Sequence, residues 1–341
     1  MKVLTVVVPV YNTEKYIKRC LDSLDNKEIN SKIEVLIVSD GSKDNAINIA
    51  KEYEKKFPET FKIIEKENGG HGSTINKGLE LATGKYFRVL DSDDWFDNVE
   101  FTDFVKKLEK LDADLIVTDY CKEYVYDGNS EKIVYNNLVN EQKYDFNDFD
   151  LSILGDKYFV MATSTYKTEV LRKSNLKLME KTFYVDMQYN VVPIVNVNNF
   201  IYLNYDIYRY FIGRAEQSVN TASFAKNHLN HDKVVKFLID YYCNLDESVS
   251  DNKRNYIKMI IKYMLFTHYS IYCVYFKNKY SGYKIVKKFD KDLLNANKEL
   301  YDESNISYIK IYRKLGFIPS FLLPNRLKNL FSRIAKKIRG K

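Results

Sequence analysis

The sequence predicts an α/β fold: a mainly parallel, Rossmann-like sheet with helices on both faces, followed by a helical region. Three observations predict it. Over the first 120 residues, short apolar runs alternate with segments of helical spacing. The runs are continuously apolar, as in strands buried on both faces. Strand–helix–strand units of this length need crossover connections, which make neighbouring strands parallel.

Leu4–Val8 is the first such run. Thr13–Leu24 has helical spacing, with Tyr16, Ile17, Cys20, Leu21 and Leu24 on one face. Glu34–Val38 reads as a second strand and Lys43–Phe57 as a second helix, with Ser42 placed to cap its start. Phe61–Ile64 is a third strand, and Ser73–Ala82 a short helix stopped by Gly84. Tyr86–Leu90 is a fourth strand, Val99–Leu111 a helix and Leu115–Val117 a fifth strand. Beyond Tyr120 the pattern loosens, with short strands expected at Lys132–Tyr135, Tyr158–Met161 and Phe200–Tyr202. From Ala225 to Lys298 the chain reads helical and rich in Tyr and Phe. The expected division is an α/β domain over 1–220, with a nucleotide-binding half 1–120 and an acceptor half 121–220, then a helical domain 221–323 and a tail 324–341.

At 341 residues, with 45% hydrophobic and 29% charged residues, the composition is that of a soluble globular protein. Cys20, Cys121, Cys243 and Cys273 lie far apart, without zinc-ligand or redox-motif spacing, which points to a reduced, cytoplasmic protein. The run after Met1 lacks the build of a signal peptide, and the most apolar stretch, Met264–Phe276, is too short to span a bilayer. Residues 301–341 hold ten Lys or Arg against two Asp or Glu, so the net charge of +7 resides in the tail. With no basic excess elsewhere, nucleic acid is not an expected partner. The tail sets Leu327, Leu330, Phe331, Ile334 and Ile338 on one helical face among Arg and Lys residues. It reads either as a helix lying on an anionic membrane surface or as an ordinary terminal helix packed on the domain.

Open parallel α/β sheets bind ligands beyond the carboxyl ends of their strands. Those ends carry Pro9-Val10-Tyr11-Asn12-Thr13-Glu14, Ser39-Asp40-Gly41-Ser42, Asn68-Gly69-Gly70-His71-Gly72 and Asp91-Ser92-Asp93-Asp94. Three carboxylates as close as Asp91, Asp93 and Asp94 repel unless a cation or basic groups neutralise them; the turn reads either as a site for Mn²⁺ or Mg²⁺, which hard oxygen donors suit, or as a solvated turn with a helix cap. Asp40, before a glycine, is placed to accept a hydrogen bond from a base or ribose, or to form an Asp-Gly turn. The glycine loop lets backbone N–H groups approach a phosphate. His71 then either touches phosphate or sugar or caps the following helix.

Four segments, Val8-Pro9-Val10-Tyr11-Asn12, Asp40-Gly41-Ser42-Lys43-Asp44, Asn68-Gly69 through Asn76-Lys77-Gly78, and Leu90-Asp91-Ser92-Asp93-Asp94, together resemble glycosyltransferase family 2, over roughly residues 1–220. The resemblance implies a GT-A fold and an inverting, metal-dependent transfer from a nucleotide sugar, UDP being the expected carrier. It implies that Pro9, Tyr11 and Asn12 border the nucleobase, that Glu14 reaches the ribose, and that Asp40 reads the base. Asn68, Gly70, His71 and Ser92 fall to the donor site. Asp91 contacts the ribose or the metal's water shell, and Asp93 ligates the metal. Within Phe183-Tyr184-Val185-Asp186 the implied catalytic base is Asp186; Tyr208-Arg209-Tyr210 and the segment from Gly213-Arg214 resemble the family's closing segment, over the diphosphate or the acceptor, where Arg209 and Arg214 either meet phosphate or form surface ion pairs. The implied acceptor is a glycan or a lipid-linked sugar in bacterial cell-surface polysaccharide synthesis. Two positions depart from the family pattern: Ser39 precedes Asp40 where a second Asp is usual, and Ile75 stands where Arg is usual. The competing readings are a nucleotide-sugar binding module without transferase activity and a nucleotidyltransferase. The latter expects a Gly-rich, basic loop after the first strand, which Pro9-Val10-Tyr11-Asn12 does not supply.

Overall fold

The computed structural model describes residues 2–213, 223 and 226–317. Arg214 and the 324–341 tail lie outside the described residues. The chain divides into two units, Met1–Ala215 with Asp251–Lys253, and Glu216–Ser250 with Arg254–Lys341.

In the first unit the expected alternation is present. Strands β1 (Leu4–Val10), β2 (Ile33–Ser39), β3 (Phe61–Glu65) and β4 (Tyr86–Val89) are connected through helices α1 (Glu14–Asp22), α2 (Ala46–Lys56) and α3 (His71–Leu81). Every residue of β1, β2 and β4 is buried, as continuous apolar runs require. There follow β5 (Trp95–Phe96), α4 (Asn98–Leu108), β6 (Leu115–Tyr124), β7 (Ser130–Ile133), β8 (Lys143–Asp145), β9 (Ser164–Lys167), α5 (Thr168–Lys173), α6 (Asp186–Val191) and β10 (Asn199–Ile212). Among the described residues these strands form one ten-stranded sheet in the order β3-β2-β1-β4-β9-β6-β10-β5, with β7 on β6 and β8 on β10. The pairs β3/β2, β2/β1, β1/β4 and β6/β10 are parallel, while β9 runs antiparallel to both β4 and β6. The core under this sheet joins Val6, Val8, Ile17, Leu21, Ile37, Phe101, Phe104 and Ile207.

Three sequence expectations change. Tyr158–Met161 is not a strand: Met161–Thr163 makes a 3₁₀ turn, and the strand is the more polar Ser164–Lys167. Its hydroxyls are in use, since Thr165 Oγ1 accepts a 2.8 Å hydrogen bond from the fully buried Arg88 of β4. The strand expected at Phe200–Tyr202 runs on to Ile212, with register shifts on either side of Asp206. Ser42 does not cap α2. Its Oγ donates to Val10 O and accepts from Asn12 N, and the Asn45 N–H at the start of α2 donates instead to Glu14 Oε2 at 3.1 Å.

Strand order grows outward on one side of β1 through β2 and β3, then reverses to β4. The gap between the ends of β1 and β4 is therefore the topological switch point, where such sheets leave a crevice. Asp91–Asp94 follows β4 at that point.

The second unit is helical where described, with α7 (His228–Cys243), α8 (Asp251–Ser270, whose first three residues belong to the first unit), a π-helical turn (Ile271–Tyr275), α9 (Lys279–Ala296), α10 (Lys298–Glu303) and α11 (Ser307–Lys314). No helix among the described residues is long and apolar enough to cross a membrane.

Candidate active site

The acidic turn is built on two levels. Asp94 is buried: its carboxylate accepts from the Tyr208 hydroxyl at 2.7 Å and from Phe211 N at 2.8 Å, both on β10. Burial, then the neighbouring Asp91 charge, pushes the Asp94 carboxyl well above the usual range despite those bonds. Asp91 and Asp93 stay partly exposed, and one oxygen from each of the three carboxylates lies within 4.8 Å of the others. Ser92 is buried beneath them. This set fits a hard divalent cation: two partly exposed carboxylates can ligate, and the third anchors the turn.

His71 opens α3, but it does not cap the helix. Its Nε2 lies 2.7 Å from Asp91 Oδ1. Burial opposes charge on this ring, yet Asp91, with Asp186 and Asp40 beyond it, raises the His71 pKa above the ordinary histidine value. Asp186 is the first residue of α6 and half-buried. Burial, with a contribution from Asp91, pushes its carboxyl up to about 6 against the opposing pull of His71. The preceding Tyr184 sits at φ +66°, in the left-handed region that non-glycine residues rarely adopt.

The glycine loop works differently from the sequence expectation. The N–H groups of Gly69 and Gly70 are not open to a phosphate: they donate to the two oxygens of Asp40 at 2.8 and 2.7 Å. Asp40 also takes Lys66 Nζ at 3.0 Å and Ser73 Oγ at 3.3 Å, while its backbone carbonyl accepts from Asn68 Nδ2 at 3.0 Å. Burial alone lifts the Asp40 carboxyl, but these donors outweigh it and hold it below the usual carboxylate range. Asp40 is thus 2% exposed and engaged by the loop rather than presented to a base. The glycines are needed for another close approach. Gly70 has φ +83°, and a Cβ there would come within 3.0 Å of the Lys181 backbone N; a Cβ on Gly72 would run into the Met179 carbonyl. Lys181 N donates to Gly69 O, and Asn76 clasps Leu178 by two hydrogen bonds, at 2.9 and 2.8 Å. The loop is a floor for residues 178–182, and so carries Asp186 towards His71. Asp40→Ala leaves two loop N–H groups without acceptors and is expected to destabilise the fold by about 2–4 kcal/mol, read as a lower urea midpoint.

Other expected donor residues also have partners within the chain. Glu14 meets the start of α2 rather than a ribose. Asn12, at φ +53°, binds Lys43 N through Oδ1 at 2.9 Å and so ties the first loop to the second. Pro9 is buried in β1, whereas Tyr11 is 51% exposed and free to border a ligand. Arg209 does not face the acidic turn: it meets Asp97 at 3.1 Å, Glu123 at 3.3 Å and Asp206 at 3.5 Å. Strand alternation explains this, because Tyr208 binds Asp94 and residue 209 must point to the opposite face.

Sequence reasoning missed four contributors. Tyr208 also meets Asp91 N, at 3.3 Å, through its hydroxyl. Tyr210 lies within electrostatic reach of Asp94, Asp91 and Asp186, which with burial raise its pKa. Arg19 donates to Asp93 O at 3.3 Å, its guanidinium stacked 3.6 Å from the Trp95 ring and 4.4 Å from Phe211. Lys66 holds Asp40. The period-2 spacing of Tyr208 and Tyr210 was a usable signal; Arg19 and Lys66 left none.

Residues 5–172 match the family profile described as Glycosyl transferase family 2. EpsH of Bacillus subtilis (strain 168) is 39% identical over 127 residues, covering 37% of this chain and 36% of EpsH. Glycosyltransferase GlyA of Streptococcus pneumoniae serotype 4 is 29% identical over 226 residues, 63% of this chain and 31% of GlyA. The matches thus span about a third of the length of these curated relatives. Among solved structures, S. aureus TarS has a TM-score of 0.65 at 20% identity, covering 93% of this chain and 53% of that one. TarS 1–349 in complex with UDP-GlcNAc gives 0.63 at 19% identity, covering 93% and 92%. The mixed α/β sheet with its C-terminal helical region matches these neighbours in fold, the GT-A fold. Over residues 5–172, the stretch the family profile matches, the chain belongs to glycosyl transferase family 2.

Proposed function

We propose that the protein transfers a sugar from a UDP-sugar to a hydroxyl of a glycan or lipid-linked acceptor, with inversion, in bacterial cell-surface polysaccharide synthesis. The observation that carries the proposal is the cluster of Asp91, Asp93 and His71 at the β1/β4 switch point, with Asp186 within electrostatic reach of His71 and Asp91. A UDP carrier is supported by TarS 1–349, a neighbour in fold solved with UDP-GlcNAc and with UDP.

On this reading Asp93 and Asp91 hold Mn²⁺ or Mg²⁺, and the ion, when bound, offsets charge on the departing diphosphate. Tyr11 borders the base, and His71 stands beside Asp91. Asp186 takes the proton of the acceptor hydroxyl as its oxygen bonds to the anomeric carbon and the bond to the diphosphate oxygen breaks. The engaged positions of Asp40, Glu14 and Arg209 make them supports of the site rather than donor contacts. Arg214 keeps its proposed place beside the diphosphate, as an anion-binding guanidinium.

A base must be ionised to act. Because the Asp186 carboxyl is pushed up to about 6, kcat/KM should rise with pH through about 6 and level off above it. A profile flat from pH 5 to 8 contradicts the assignment. The direct test of the function is a panel of nucleotide sugars in a thermal-shift assay with and without Mn²⁺, then transfer assays with the stabilising donor. A UDP-sugar should raise Tm and be consumed; no response to any donor refutes the proposal.

A further inference from the structure

Three of the chain's four histidines, His228, His231 and His268, fall in the helical second unit. His231 and Asp232 lie on α7 and His268 on α8. His231 and His268 are 0% and 1% exposed, their ring centroids 5.9 Å apart. One ligand atom from each of His231, Asp232 and His268 lies within 4.8 Å of the others.

The contact between His268 and Asp232 is unusual. His268 Nδ1 and Asp232 Oδ1 are 3.3 Å apart, yet neither makes a hydrogen bond among the described residues, and neither does His268 Nε2. A buried polar atom left in that state is costly to the fold. Both rings are shut away from bulk water. The face of His268 is fixed by Phe289, with centroids 3.9 Å apart. The second oxygen of Asp232 accepts from the Tyr272 hydroxyl, which lies 3.0 Å from His228 Nδ1. Since the phenol gives its one proton to the carboxylate, His228 Nδ1 must donate to the phenol. This chain orients Asp232 as outer partners orient metal-binding carboxylates.

We infer that His231, Asp232 and His268 form a zinc site that clamps α7 to α8. A tetrahedral ion bonded at ~2.0–2.1 Å spaces its ligands by about 3.3 Å, the edge that His268 and Asp232 already make. Two imidazoles and one carboxylate match the borderline character of Zn²⁺. The Asp232 side chain is 18% exposed, a path for the ion and for a water in the fourth position. This site is independent of the donor site and of the glycosyltransferase reading.

The test uses the full chain carrying Asp93→Ala, so that metal at the donor site does not contribute. Purified protein is loaded with ZnCl₂, dialysed and analysed for metal, with Co²⁺ absorption as a second readout. One equivalent of zinc per chain is expected, together with a higher Tm and Co²⁺ bands of a low-coordinate nitrogen-ligated site. His268→Phe keeps the aromatic packing and should lose all three signals. Tyr272→Phe should weaken binding about 10–100-fold. If His268→Phe fails to fold, Asp232→Asn, which keeps an acceptor for Tyr272, carries the test and should release the zinc. Retention of a full equivalent by Asp232→Asn, or no zinc in the chain with all three ligands intact, overturns the inference.

Discussion

Asp186→Asn is expected to leave donor binding intact and to lower transfer by about 10²–10⁴-fold, the range of a positioned general base. The substitution is isosteric, and the short helix that the residue begins is held by other residues: Lys181 N donates to Gly69 O before it, and Gln188 within it accepts from Met179 N. The His71–Asp91 contact does not involve it directly. The loss should therefore fall on kcat, with little change in KM for the donor. Isothermal titration with the donor and a transfer assay separate the two quantities, and near-normal transfer removes Asp186 from the role of base.

Asp93→Ala should abolish the Mn²⁺ or Mg²⁺ dependence of donor binding and weaken that binding by more than about 100-fold, since a divalent ion contributes several kcal/mol. The fold should survive, because the turn is anchored by Asp94 through Tyr208 and Phe211, while Asp93 is partly exposed. Donor affinity measured with and without metal decides it; equal metal dependence in the variant assigns the ion elsewhere. Asp94→Ala is the contrasting change. It removes the acceptor of two bonds from β10, so it should lower Tm as well as donor binding.

The half of the sheet nearest the N-terminus was legible because β1, β2 and β4 are buried on both faces and are apolar but for Thr5, Glu34, Ser39 and Arg88. β9 was hidden because its buried Ser164 and Thr165 are polar. No periodicity rule finds a polar strand whose hydroxyls serve a buried arginine. The positions lining the switch point were also legible, because strand ends are marked by residues that no strand interior tolerates. Their partners were not. Asp40 beside glycines reads equally well as a base contact or as an acceptor for the glycine N–H groups. The choice depends on residues 178–182, more than a hundred positions away. Arg209 shows a further limit: an arginine near a proposed phosphate site invites that role, while its neighbours Asp97, Glu123 and Asp206 come from three separate stretches of chain.

Asp94 bears on the order in which ligands arrive. Burial and the neighbouring Asp91 charge push its carboxyl well up, and its two oxygens accept from Tyr208 and Phe211, so of the three acidic residues only Asp91 and Asp93 stay partly exposed towards an ion. Two carboxylates are a small donor set for a hard divalent ion, so the bare turn has weak purchase on Mn²⁺ or Mg²⁺. The remaining coordination falls to phosphate oxygens. On the proposed reading, then, metal and nucleotide sugar enter together as one complex, and the ion leaves with the spent nucleotide rather than remaining as a permanent fixture.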